Sequence, residues 1–178
     1  MKQELFFVCE VCGELDKDES YIARHEKACT ETKEREVAAR KRREEFGQLT
    51  IGQIIKKCQG LPNLPIRIRC IRNDEQNPSS DYSGMCPYDT DSYRGYYDEL
   101  SLNPIDPNKE EVDLNRFVKM MEDSLGRAYY GYRGGEYYMY KDTFVWLSEY
   151  GESSGFAVTD IQLPESNECI FIIAKLMR

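Results

Sequence analysis

The only histidine of this 178-residue chain lies among three of its seven cysteines, between residues 9 and 29. Two residues separate Cys9 from Cys12, twelve lie between Cys12 and His25, and three separate His25 from Cys29. This is the zinc-finger spacing with cysteine in place of the last histidine. A tight knuckle offers two thiolates, and a helix offers the third and fourth ligands one turn apart, so a Zn²⁺ ion would sit in a closed tetrahedron. Four protein ligands leave no open coordination position, which makes the expected role of the ion structural. With His25 committed to the metal, no imidazole remains for acid–base or nucleophilic chemistry elsewhere.

The finger is a poor reader of DNA. Where base-contacting side chains sit, counting back from the helix histidine, it carries Asp18, Tyr21 and Arg24, and only Arg24 suits a base edge. Residues 7 to 29 hold six acidic side chains against three basic ones, a balance that repels phosphates. A protein contact or a scaffolding role is expected of such a finger.

A second concentration of chemistry lies where the tyrosines are. Eleven of the thirteen fall between Tyr88 and Tyr150, and all of these but Tyr88 lie in "DSYRGYYDEL", "GRAYYGYRGGEYYMY" and "WLSEYGESSG". Each stretch joins glycine to aromatic rings and to arginine or carboxylate. Glycine lets backbone amides approach an anion, a ring stacks on a flat base, and arginine pairs with phosphate. Arg94, Tyr96, Arg133, Glu136 and Tyr137 are therefore the candidate ligand-binding residues, with Trp146 as a stacking wall. The competing explanation is structural, because tyrosine enriches any sheet and glycine any turn. "GYRGGEYY" lacks the Lys-Ser/Thr ending of a phosphate-binding loop.

From "DSYRGYYDELSLNP" to the strand after "WLSEYGESSG", about residues 91 to 163, the chain resembles a group of small proteins encoded by bacteriophages and prophages. They share an SYRGYY…GYxGGEY…W…YG signature, and the finger falls outside the resemblance. It implies a phage origin and a role in the host cytoplasm, binding a host factor, nucleic acid or a defence signal. It transfers no catalytic residue.

These groups need elements to position them. From Ser20 the pattern is helical, and "TETKEREVAARKRREEF", residues 30 to 46, extends it without glycine or proline, with Glu31–Arg35 and Glu36–Arg40 at i,i+4. Apolar residues there are too few for a coiled-coil seam, so a solvated helix ending at Gly47 is expected. Phe7, Leu15 and Ile22 are expected to fill the small core of the finger. Thr50 suits the N-cap of a helix with Ile51, Ile54, Ile55 and Cys58 on one face. After Pro62 and Pro65 comes a strand with Ile66, Ile68 and Cys70 alternating with arginines. Residues 73 to 91 read as a long loop. A strand in "YYDELSLNP" precedes a helix capped by Asp113 with Leu114, Phe117, Val118, Met121 and Leu125 inward. "YYMY", "TFVWLSEY", "FAVTDIQLP" and "CIFIIAKLM" are further strands. The expected class is α+β: a small ββα-type finger (1–29), a charged helical spacer (30–47), and a domain (48–178) of two helices on a mostly antiparallel sheet.

Composition bounds the function. A formal charge of −8 and a pI near 4.9 disfavour general nucleic-acid binding. No run of eighteen apolar residues and no signal-peptide core is seen, so a cytoplasmic protein without membrane contact is expected. Cys58, Cys70, Cys86 and Cys169 have no paired spacing and are expected to be reduced. Three functions of different class fit. The first is a non-enzymatic protein that sequesters a nucleotide-type ligand, such as a defence signal. The second is a zinc-finger adaptor for a host protein or nucleic acid. The third is a carboxylate-dependent hydrolase or nuclease using Asp98, Glu136 or Glu149. Homo-oligomerisation is compatible with each.

Overall fold

The computed structural model describes residues 6–72, 81–131, 134–148 and 153–177. The chain divides into two compact units, Met1–Glu45 and Phe46–Arg178. No helix among the described residues is long and apolar enough to cross a membrane.

The first unit is a ββα arrangement. Strands β1 (Phe7–Val8) and β2 (Leu15–Asp16) pair antiparallel, and α1 (Glu19–Phe46) follows as one uninterrupted helix. Asp18 caps α1: its Oδ1 accepts the Ser20 N–H at 2.9 Å, the Ser20 hydroxyl at 2.7 Å and the Tyr21 N–H at 3.3 Å. These bonds, the Ser20 hydroxyl first, hold the Asp18 carboxyl below the usual carboxylate range. Beyond the last ligand position the helix is carried by local pairs, Glu31–Arg35, Arg40–Glu44 and Lys41–Glu45, all exposed. Such pairs stabilise by about 0.3–0.5 kcal/mol each. Good helix formers in an unbroken run therefore explain its length better than the salt bridges do.

One expected core residue of the finger is displaced. Leu15 is 58% exposed, whereas Ile22 and Cys9 are buried. The reason is register: Leu15 pairs directly with Val8, so both point to the outer face of a two-stranded ribbon, and Val8 is exposed too. Only the helix side of the finger is shielded from water.

The second unit is built on a six-stranded mixed sheet. Its strands are β3 (Ile66–Ile71), β4 (Cys86–Tyr93), β5 (Tyr96–Ile105), β8 (Val145–Leu147), β9 (Phe156–Gln162) and β10 (Ile170–Leu176), in the order β3-β10-β9-β8-β5-β4. Three of the five pairings are antiparallel; β3 with β10 and β5 with β8 are parallel. A separate hairpin, β6 (Ala128–Tyr130) with β7 (Glu136–Tyr138), completes the strands. Helices α2 (Ile51–Cys58) and α3 (Leu114–Ser124) touch each other, and α2 packs on β9 and α3 on β4. The α+β class expected from the sequence is thus present.

The helices form where their caps and apolar stripes require. Thr50 and Gln53 make a reciprocal capping box on α2, and Asp113 accepts the Arg116 N–H at 2.9 Å on α3. Ile51 and Ile54 from α2, and Leu114, Phe117 and Met121 from α3, enter one core with the inward positions of the sheet, among them Ile66, Ile68, Leu100, Leu102, Ile170 and Ile172. Val118 and Leu125 reach only its edge. A smaller cluster of Tyr93, Trp146 and Ala157 is covered by Phe46 and Met177.

Strand β4 corrects the sequence reading, which places residues 86 to 91 in a long loop. "CPYDTDSY" carries Pro87, Asp89 and Asp91, all poor strand formers. It pairs because it is the edge strand, where proline leaves no ladder bond unmade, and because its register shifts between Pro87 and Asp89.

Candidate functional site

In the first unit, a tight turn brings Cys9 and Cys12 together: the Gly13 N–H donates to the Cys9 carbonyl at 2.8 Å, and the Cys9 N–H to the Glu14 carbonyl at 2.8 Å. Helix α1 supplies His25 and Cys29 at i,i+4, on one face. Their ligand atoms, Sγ of Cys9, Cys12 and Cys29 and a ring nitrogen of His25, all lie within 4.8 Å of one another. The Cys12 Sγ is 3.1 Å from His25 Nε2, and the Cys29 Sγ is 3.2 Å from the same nitrogen and 3.7 Å from the Cys12 Sγ. Across the knuckle, the Glu10 N–H donates to Glu26 Oε1 at 2.8 Å, and the Tyr21 ring stacks near His25 with centroids 5.9 Å apart.

Electrostatics favour a cation at the centre. Burial, followed by the Cys12 and Cys9 sulfurs, pushes the Cys29 thiol up to about 11. Burial raises the Cys9 thiol as well, but the backbone N–H groups of Cys12 and Val11 outweigh it and its titration falls. Several thiolates crowd one another unless a positive ion lies between them. The arrangement could hold one metal ion, and among the described residues no other group of His, Cys, Asp and Glu is disposed to do so.

The second unit divides the ligand-binding candidates. Arg94 and Gly95 form a two-residue turn between β4 and β5, with Tyr93 paired to Tyr96 across it. Gly95 has φ +98°, a conformation that only glycine adopts without strain. The Ser153 hydroxyl donates to the Arg94 carbonyl at 2.5 Å, tying the turn down, and Arg94 is exposed. Beside it the rings of Tyr93, Tyr96 and Trp146 are nearly parallel, within 8° of one another: Tyr93 and Trp146 are 4.6 Å apart, and Tyr96 lies 6.4 and 6.2 Å from them. Trp146 is 4% exposed and Tyr96 47%, so Tyr96 is the ring of the group that meets solvent. The indole N–H donates to Glu99, a buried carboxylate. Tyr93 accepts the Gly155 N–H at 2.9 Å, and burial raises its phenol.

Glu136 and Tyr137 belong to the other hairpin. The hydroxyls of Tyr130 and Tyr138 each donate to Glu136 at 3.0 Å, and this bonding, with the carboxylate charge, raises both phenols. Tyr137 turns inward, tilted on Tyr97 at 5.5 Å. Its ring also explains two glycines of "GYRGGEY": a Cβ on Gly131 or Gly135 would come within 3.0 Å of it. Arg133 and Glu149 lie outside the described residues, and Asp98 is exposed on β5. The structure thus brings Arg94, Tyr96 and Trp146 to one turn and puts Glu136 and Tyr137 on another hairpin. Sequence reasoning missed Tyr93 and Glu99, which stack on and hydrogen-bond Trp146. Only the alternation of "DTDSY" hinted at a strand there, and the acidic residues obscured it.

No protein-family model, curated protein or solved structure matches this chain.

Proposed function

We propose that the protein is a non-enzymatic binding protein of phage type, with a structural Zn²⁺ in the finger and a nucleotide-type ligand held at the β4–β5 turn. The donor chemistry supports zinc. In a tetrahedron with metal–sulfur bonds of about 2.3 Å, two sulfurs lie about 3.8 Å apart, and the Cys12 and Cys29 sulfurs are 3.7 Å apart. Three thiolates and an imidazole suit zinc better than oxygen-seeking magnesium or calcium. Cys9, Cys12, His25 and Cys29 would hold the ion, which supplies a cross-link between knuckle and helix.

The observation that supports the ligand site is the half-exposed Tyr96 ring lying parallel to a buried Tyr93–Trp146 pair, with Arg94 exposed beside it. A ring held by its neighbours loses little entropy when a flat base stacks on it, and arginine suits the phosphate. In a phage-encoded protein, a nucleotide defence signal would be a fitting ligand. Trp146 is the single tryptophan and neighbours Tyr96, so its fluorescence reports on stacking there. In a titration with a panel of mono-, di- and cyclic nucleotides, Tyr96→Ala and Arg94→Ala are each expected to weaken binding by about tenfold or more, since a base–aromatic stack contributes about 1–3 kcal/mol. Melting should change little, because exposed positions stay within about 0.5 kcal/mol. Variants that bind like the parent and lose several degrees of stability would make the turn a scaffold.

A second reading, the adaptor, is supported by a groove of about 740 Å³ beside α1, lined by Val11, Thr30, Glu34, Val37, Ala38 and Lys41. Val37 is 62% exposed there. A protein partner would cover that apolar strip between charged rims.

A further inference from the structure

On the sheet face opposite α2 and α3, strands β3, β9 and β10 border a cleft of about 360 Å³ that the β4–β5 turn does not line. We infer that this cleft is an anion site for the phosphate of a small phosphomonoester, with Arg69 and Lys175 as its cations and Thr159 as a hydroxyl donor. The inference is independent of the ligand site proposed at Arg94 and Tyr96.

The placement follows from register. Arg69 on β3 is paired with Ile173 on β10, and Lys175, two residues further along β10, is paired with Ile71. Alternation therefore puts Arg69, Ile71, Ile173 and Lys175 on the face away from the core that takes Ile68, Cys70, Ile172 and Ala174. The pairing of β9 with β10 shifts register at this point, from Ile173–Asp160 to Ala174–Val158, so Thr159 is the extra residue of a bulge. A bulge re-aims a side chain, and Thr159 lines the cleft with its hydroxyl donating to the Ile173 carbonyl over 3.4 Å, a long bond that a phosphate oxygen would replace.

Charge decides what the cleft accepts. Among the described residues, neither Arg69 nor Lys175 has a carboxylate in ion-pair range, and both line the same cleft. The neighbouring arginines differ: Arg67 is paired with Glu111 and Arg72 with Asp81. The one carboxylate in the lining, Asp160, is already engaged: Lys57 Nζ donates to its Oδ1 at 2.9 Å and Gln162 Nε2 to its Oδ2 at 2.9 Å. Counting Lys57 against Asp160 leaves the two cations uncompensated. The Arg69 guanidinium lies 5.0 Å from the Phe171 ring centroid, a cation–π contact just outside the cleft lining.

Phosphate fits this set better than carboxylate. A planar fork, a point ammonium and a hydroxyl line the cleft from three strands, a donor set that suits a tetrahedral group with several acceptor oxygens. Phe46, Ile71 and the buried Ile173 give the organic part an apolar wall. The volume suits a small ligand and excludes a folded macromolecule.

The test is a ¹⁵N chemical-shift titration of the full-length zinc-loaded protein with inorganic phosphate, then with glycerol 3-phosphate, and with glycerol as the uncharged control. Saturable shifts centred on Arg69, Thr159, Ile173 and Lys175 are expected, tighter for the ester than for phosphate and absent with glycerol. Arg69→Gln and Lys175→Gln should each weaken binding about tenfold, as loss of a charge-assisted hydrogen bond does, while Arg94→Ala leaves it unchanged. No saturable shift at tens of millimolar ligand, shifts mapping elsewhere, or affinity that survives both substitutions would overturn the inference. The wild-type shift map needs no variant and stands if either variant folds poorly.

Discussion

Replacing Cys12 with serine is expected to release the metal ion and unfold residues 6–29, while the thermal transition of Phe46–Arg178 stays in place. The finger has almost nothing else to hold it. Among its described residues only Cys9 and Ile22 are buried, and one fully buried aliphatic side chain contributes about 1.5–3 kcal/mol. Ordering the backbone costs about 1–2 kcal/mol per residue. That deficit exceeds what the Asp18 cap and two short strands recover, whereas a structural zinc site contributes roughly 10–16 kcal/mol. Serine keeps the size of the side chain but supplies a poor ligand. The two units are separately compact, and the second has its own core. Amide dispersion of residues 6–29 collapsing to random-coil values, with one equivalent of zinc lost, is the expected spectrum. Dispersion unchanged after metal loss would mean that the finger folds without its ion.

Phe117→Ala is expected to destabilise the second unit by about 3–5 kcal/mol, the usual cost of removing a buried phenylalanine. Phe117 is fully buried on α3, in the same cluster as Leu100, Leu102 and Met121. Domains of this size hold about 5–15 kcal/mol in total, so the loss is at least about a fifth of the whole. The melting temperature should fall by roughly 10–20 °C. Lys119→Ala, two residues along the same helix, is the control: its pair with Asp123 is exposed and contributes about 0.5 kcal/mol or less. Equal melting shifts for the two variants would mean that α3 does not pack as described.

The sequence made the Cys9, Cys12, His25 and Cys29 cluster legible because ligand geometry dictates spacing, and spacing is written in the chain. Helices α1, α2 and α3 were equally legible, since a cap, a run of good formers or an apolar stripe is local. The sheet was less so. Strand β4 could not be read, because its pairing depends on being an edge beside β5, and Pro87, Asp89 and Asp91 argue locally against a strand. Leu15 was placed in the finger core by hydrophobicity alone, and its register with Val8 turned it outward. The tyrosine motifs mixed two roles that composition cannot separate. Tyr137 packs against Gly131 and Gly135, and Trp146 is stacked and hydrogen-bonded in the interior, whereas Arg94 and Tyr96 reach the surface.

Native mass spectrometry of the full chain, purified without chelator, tests the proposal of a zinc-stabilised binding protein most directly. The expected spectrum is a chain carrying one zinc ion, with a further nucleotide-sized mass when a binding nucleotide is added, and without that second mass in Tyr96→Ala. A chain that carries no zinc, or that gains no mass from any nucleotide of the panel, would contradict it.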